Sequence, residues 1–183
     1  MEERVVILIK PDAVKRRLIG EILKRFEQCG LKIIALKMVK PEREEIEKHY
    51  PDTEDWYRRA GEKTLKNCKE MGISPKDYIQ TDDPVEIGKL IKKWNIDYLT
   101  EGPCVVALLE GKNAIECARK IVGATLPKDA LPGTIRGDFS TDSAIDSLKE
   151  KRAIRNLVHA SGNKEEREAE QKLWFSEGEI FEY

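Results

Sequence analysis

No apolar run in the sequence approaches the roughly 20 residues that a membrane-crossing helix requires. Met1-Glu2-Glu3-Arg4 also lacks the basic-then-apolar layout of a secretory leader. A cytoplasmic protein that stays off the membrane is the expectation. Neither sign of charge dominates: 33 Lys and Arg face 34 Asp and Glu, for a net charge of -1. There is then no global field to draw in anionic partners, and neither a specific nor a bulk nucleic-acid role is expected. Cysteine is sparse. Cys29, Cys68, Cys104 and Cys117 form no CxxC pair, which fits neither a zinc site nor a disulfide framework and reads as reduced structural thiols. Neither GxxxxGK[ST] nor GxGxxG occurs, so a P-loop or Rossmann site is excluded on motif grounds. What is present is a chain of 183 residues, 40% apolar and 37% charged. That is enough for a full core and short of two average domains.

Residues 4–10 form a short run rich in β-branched side chains, a central strand that delivers Lys10 to its end before Pro11-Asp12. Ile19, Ile22, Leu23, Phe26 and Cys29 follow a helical repeat, and Gly30 closes it. A second strand is expected over 31–39 and a polar helix over 41–50, ending at Tyr50-Pro51. Residues 51–83 are charged and punctuated by Pro51, Gly61, Gly72 and Pro75. They look like added material. Pro84 opens a helix with Ile87, Leu90, Ile91 and Trp94 on one face. A buried strand over 103–109 and a helix over 113–122 follow, with Arg119 at the border of the apolar face. Residues 124–140 read as loop, 142–151 as a charged helix, 153–160 as a buried element and 163–174 as an acidic helix. Two split strand-helix-strand halves predict an α+β ferredoxin-like sandwich, a four-stranded antiparallel sheet with helices on one face, plus a helical insertion. The expected organisation is one domain over 1–183 with insertions near 51–100 and 140–152.

Two histidines are available. His49 sits among Glu and Lys on its helix and receives no role; His159, taken alone, fits a hydrogen-bonded strand end or a catalytic group. Residues 133–139, Gly-Thr-Ile-Arg-Gly-Asp-Phe, are an ordinary tight loop or a phosphate cradle. Joined to Lys10, Arg119 and Thr125, Arg136 completes a set offering point charge, a planar fork and a hydroxyl, which suits a polyphosphate.

The motifs taken in order carry more than any one of them. Lys10-Pro11-Asp12-Ala13-Val14, Gly20-Glu21-Ile22, His49-Tyr50, Gly102-Pro103, the 133–139 segment, Asn156 to Ser161 and Glu170 to Phe175 together resemble the nucleoside diphosphate kinase family. The resemblance implies reversible ping-pong transfer of a γ-phosphate from a nucleoside triphosphate such as ATP to a nucleoside diphosphate, supporting NTP and dNTP synthesis. It makes His159 the covalent carrier, Glu170 its orienting carboxylate and Ser161 a support. Lys10 would meet the γ-phosphate, Arg119, Thr125 and Arg136 the β- and γ-phosphates, Asn156 the sugar hydroxyl, and Tyr50 would pack beside His159 and Lys10. It further implies Mg²⁺ with few direct protein ligands, so no metal-ligating residue is named, and a homo-oligomer, tetramer or hexamer. The intact set argues against a binding protein that has lost turnover. Three departures stand out: Ala160 occupies a position where the family commonly has glycine; 51–100 carries about 30 additional residues, longer than an ordinary connection and so expected as a small helical elaboration, where the family places its base-stacking aromatic; and a shorter insertion at 140–152 separates the 133–139 segment from that of His159. Trp56, Tyr57, Ile91 and Trp94 are candidates for that stacking. The second insertion suits a cover over the site, a specificity loop or a subunit contact.

Overall fold

The structure is a computed structural model and describes residues 2–183. Strands β1 (Glu3–Ile9), β2 (Lys32–Val39), β3 (Cys104–Gly111) and β4 (Val158–Ala160) form one sheet in the order β2-β3-β1-β4, with every neighbouring pair antiparallel. Helices α1 (Pro11–Lys15) and α2 (Ile19–Gln28) connect β1 to β2. The path from β2 to β3 holds α3 (Arg43–His49), α4 (Glu54–Glu70), α5 (Lys76–Ile79) and α6 (Pro84–Thr100). Between β3 and β4 lie α7 (Ala114–Val122), α8 (Ile135–Phe139) and α9 (Ala144–Glu150), and α10 (Lys164–Trp174) follows β4. This is the ferredoxin-like α+β arrangement: β3 lies between β1 and β2, and β1 lies between β3 and β4.

The helices cover both faces of the sheet, not one. Val5 to Ile9 are all fully buried. Because successive strand residues point to opposite sides, Val5, Ile7 and Ile9 pack with Ile22 and Phe26 of α2 and Ala118 of α7, while Val6 and Leu8 pack with Ile46, Leu99 and Trp174 on the far side. A strand buried on both faces reads as one unbroken apolar run, which is why periodicity there gave no sign of the second layer.

Two other segments differ from expectation. Residues 135–139 are helical, because Thr134 caps them by accepting the N–H of Gly137 on its Oγ1. The buried element expected over 153–160 is strand only from Val158. Leu157 sits at φ +70°, and the Val158 N–H donates to the Asn156 carbonyl at 2.8 Å, a γ-turn that interrupts the extended backbone one residue before β4.

The excursion between β2 and β3 is mostly two long helices. Thr53 caps α4 and Asp83 caps α6, whose first residue is Pro84. They cross at glycines: a Cβ on Gly61 would lie 1.9 Å from the Pro84 carbonyl oxygen, and one on Gly88 would lie 2.1 Å from that of Tyr57. Space, not backbone freedom, demands glycine at both positions. The Sγ atoms of Cys29 and Cys117 lie 3.0 Å apart, so two of the four thiols are neighbours rather than scattered. No described helix is long and apolar enough to cross a membrane.

Candidate active site

A cavity of about 650 Å³ opens between the C-terminal end of β1, β4, and the helices α4, α6 and α9. Seven of the nine residues singled out from the sequence line it: Lys10, Tyr50, Arg119, Thr125, Arg136, Asn156 and His159. The other two, Ser161 and Glu170, are buried behind His159.

The register β1 to β4 sets His159 opposite Leu8. Its Nε2 lies 2.7 Å from Glu170 Oε1, and the Ser161 hydroxyl donates to Glu170 Oε2 at 2.6 Å. The Val6 N–H in turn donates to Ser161 Oγ at 3.1 Å, tying this chain of contacts to the centre of the sheet. Burial works to raise the Glu170 pKa, but His159 and the Ser161 hydrogen bond outweigh it and hold the carboxyl below its usual range. An ionised Glu170 only accepts, so Nε2 carries a proton and, in the neutral ring, Nδ1 keeps its lone pair. This tautomer follows from the network.

His49 is not the solvated or half-buried side chain its sequence neighbours suggest. Its side chain is 1% exposed, its ring stands edge-on to that of His159 at 4.9 Å, and its Nε2 is 3.8 Å from Glu170 Oε1. Burial, then the His159 charge, pushes its pKa down to about 3, so the ring is neutral. Tyr50 packs edge-on against His49 at 5.0 Å and tilted against Trp56 at 5.9 Å. His49, His159 and Glu170 are the one cluster of metal-ligating side chains among the described residues, and it is the histidine's own supporting set.

The cations are held in different ways. Lys10 is 6% exposed, and its Nζ donates to Asn156 Oδ1 at 2.7 Å. Burial, then the Arg136 charge, lowers its pKa to about 7. Arg136 is buried as well, which lowers its pKa to about 10, and its guanidinium donates to the carbonyls of Asn156, Gly123, Ala124 and Val158 at 2.6 to 3.1 Å. Four of its five N–H groups are engaged, so its planar fork is a cross-tie between 123–124 and 156–158 with one donor left over. Asn156 is committed too: besides accepting from Lys10, its Nδ2 donates to the Thr125 carbonyl at 3.0 Å. Arg119 is exposed at the mouth and forms no ion pair among the described residues. Lys63 of α4, which was not singled out from the sequence, places its Nζ 3.2 Å from Thr125 Oγ1.

The depressed Lys10 fixes a pH dependence. Between about pH 7 and the unfolded lysine value of roughly 10.4, the unfolded chain binds the additional proton, so stability rises with pH across that window. Below pH 7 both states are protonated and the burial cost is felt in full. The slope is at most about 1.4 kcal/mol per pH unit for one group. Urea unfolding of the wild type and of Lys10→Met from pH 6 to 10 isolates it: the wild type should gain on the variant as pH rises, and parallel curves would contradict the assignment.

Such a set of donors around a hydrogen-bonded imidazole suits phosphoryl transfer, which depends on positioning and charge stabilisation. The family model described as nucleoside diphosphate kinase matches residues 3–60 and 87–180. A nucleoside diphosphate kinase from Pyrobaculum aerophilum is 53% identical over 180 residues, covering 98% of both chains. One from Methanocaldococcus jannaschii is 37% identical, covering 100% of this chain and 99% of the relative. Among solved structures, an NDP kinase from Pyrobaculum aerophilum superposes with a TM-score of 0.94 at 50% identity over the whole of both chains. A nucleoside-diphosphate kinase from Borrelia burgdorferi, a transition-state mimic with bound vanadate and ADP, gives 0.79 at 31% identity, covering 100% of this chain and 92% of the other. The chain belongs to the nucleoside diphosphate kinase family of nucleotide phosphotransferases.

Proposed function

We propose that this enzyme carries the γ-phosphate of a nucleoside triphosphate on His159 and hands it to a nucleoside diphosphate. The observation that supports this best is the engagement of Nε2 by Glu170, which leaves Nδ1 as the nucleophile. In the first half-reaction the Nδ1 lone pair forms a bond to the γ-phosphorus while the bond to the β–γ bridging oxygen breaks, and the diphosphate leaves with that electron pair. In the second, an oxygen of the acceptor diphosphate takes the phosphoryl group and Nδ1 is released. Glu170 steadies the ring as it becomes positive, and Ser161 holds Glu170. Lys10 at the cavity floor meets the moving phosphoryl group, Arg119 and Thr125 flank the phosphates, Arg136 contributes its field and its one uncommitted N–H, and Asn156 has one amide N–H left for the sugar. Tyr50 braces His49 beside the reacting ring.

The cofactor we propose is Mg²⁺. Glu166 is the one carboxylate lining the cavity, so the donor set suits a cation brought in on the nucleotide's own phosphates rather than caged by protein. Bound there, it would neutralise charge between the β- and γ-phosphates.

The fold is read as one domain over 1–183 with insertions near 51–100 and 140–152; the stretch left unmatched by the family model, 61–86, falls within the first. A cytoplasmic setting is proposed with it, where thiols stay reduced. A homo-oligomer, tetramer or hexamer, is favoured by apolar exposure on the edge strand: Leu36 and Met38 of β2 are 49% and 60% exposed. Sedimentation should give four or six times 21.0 kDa, and a single-chain mass would overturn the assembly. The activity itself is tested with γ-labelled ATP and Mg²⁺ in the absence of acceptor, followed by a GDP chase. Label should stay with the protein and then leave as GTP. Direct transfer without a labelled protein would refute the ping-pong route.

A further inference from the structure

The family model stops at residue 60 and resumes at 87, yet α4 runs unbroken from Glu54 to Glu70. Trp56, Arg59, Lys63 and Asn67 recur along it at helical spacing and all line the cavity. The part of α4 beyond the match therefore continues the wall of the active site. Its depth is fixed by the close crossing with α6 at Gly61 and Gly88, so Lys63, two residues after Gly61, is carried at a set distance from the site.

Lys63 approaches Thr125 Oγ1 to 3.2 Å and has no carboxylate partner among the described residues. The charged groups that act on it are Arg136 and Arg119, both cationic. Lys63 as a whole is exposed, but partial desolvation of its ammonium beside the cavity, then these two arginines, holds its pKa below the usual lysine range. Lysines on a charged helix ordinarily find an acid one turn away, as Lys66 does with Glu70. Lys63 instead reaches the Thr125 hydroxyl in a cavity that Arg119 and Arg136 also line. Convergence of like charges on one point is unfavourable until an anion neutralises it. Glu166, the carboxylate on the cavity wall, already accepts from the Gly162 N–H at 2.7 Å and from Asn163 Nδ2 at 3.3 Å.

We infer that Lys63 is an additional phosphate-binding residue, contacting the β- and γ-phosphates of the nucleotide beside Thr125 and Arg119. The inference rests on the reading of this cavity as the nucleotide site. It also assigns a task to a segment outside the family match, which supplies a cation to the reaction instead of merely decorating the surface.

The test compares wild type, Lys63→Gln and Lys63→Arg with Mg²⁺, measuring calorimetric affinity for ATP, ADP and adenosine and the melting temperature without nucleotide. Lys63→Gln should weaken ATP and ADP binding about tenfold, the effect of one charge-assisted hydrogen bond, and change adenosine binding less than twofold. Lys63→Arg should restore most of the loss. Without nucleotide, Lys63→Gln should melt no lower than wild type, because no ion pair is lost and repulsion is relieved. Unchanged ATP affinity in Lys63→Gln, with wild type binding normally, would overturn the role of Lys63 and leave the nucleotide site standing. Equal losses for ATP and adenosine, or a lowered melting temperature, would make Lys63 a packing residue of α4 and overturn the inference. Failure of the wild type to bind ATP at all would bring down the nucleotide reading itself.

Discussion

His159→Ala is expected to abolish the phosphorylated protein and to cut turnover by at least about 10³-fold, while ATP affinity stays within a few-fold of wild type. The asymmetry follows from the site. Lys10, Arg119, Thr125 and Arg136 line the cavity independently of the imidazole, and none of their hydrogen bonds runs through it. The ring is the nucleophile proposed among them. Position matters as much as presence: with Nε2 bound to Glu170, the wild-type phosphoprotein should carry its phosphorus on Nδ1, which ³¹P and ¹⁵N NMR distinguish from Nε2. Phosphorus on Nε2 would mean that the ring turns over before reacting, and label on the alanine variant would place the carrier elsewhere. Ala160 bears on the same experiment. It is 9% exposed and packs in the core cluster with Ile7 and Ala118, so its methyl group is accommodated on that face of the sheet while bordering the cavity.

Gly61→Ala should be the most damaging of the conservative substitutions. The added Cβ would meet the Pro84 carbonyl oxygen at 1.9 Å and its Cα at 2.7 Å, both backbone atoms that no rotamer change can remove. Either the helix crossing opens or the fold absorbs the overlap, at about 1 to 3 kcal/mol. Opening would swing Trp56 and Lys63 away from the cavity, so nucleotide affinity should fall together with the urea midpoint. Gly20→Ala in α2 is the matched control. A Cβ there meets nothing within 4 Å, and removing a helical glycine should be neutral or stabilising by up to about 1 kcal/mol. Similar behaviour of the two variants would show that the crossing is soft.

The parts of the fold that were legible in the sequence are those with a regular period. Ile19, Ile22, Leu23 and Phe26 mark α2, and the apolar run of β1 marks a central strand. The order of strands and helices then follows. Three features were hidden for physical reasons. The 133–139 segment reads as loop because its glycines outweigh a five-residue helix in any propensity sum, although Thr134 is a good cap in plain view. His49 looked solvated because its neighbours on α3 are charged; only its place at the end of that helix, turned toward α10 and β4, buries its side chain. Lys63 is one lysine on a strongly charged helix, and nothing local separates it from Lys66 or Lys69. Its distinction comes from Thr125, 62 residues away along the chain. Lys10, Arg119, Thr125 and Arg136 were legible as a donor set suited to a polyphosphate, whereas the roles of Tyr50, Asn156, His159, Ser161 and Glu170 came only with the ordered motifs, and the engagement of the Arg136 fork by backbone carbonyls has no trace in the sequence at all.

The pairing of β1 with β4 bears on how the enzyme is made. The Val6 N–H bond to Ser161 Oγ spans 155 residues of chain, and Leu8 faces His159 across the same ladder. At a ribosomal pace of roughly 5 to 20 residues per second, the first strand emerges about ten to thirty seconds before its partner exists. Its fully buried Val5 to Ile9 can meanwhile find only β3, and His159, the nucleophile proposed above, arrives on the last strand to be synthesised. Loop closure over such distances is slow, so completion of the sheet and assembly of the reactive imidazole are one late event. A chain terminated before β4 thus lacks His159, Ser161 and Glu170 together, and the cavity it leaves has no imidazole to receive a phosphoryl group.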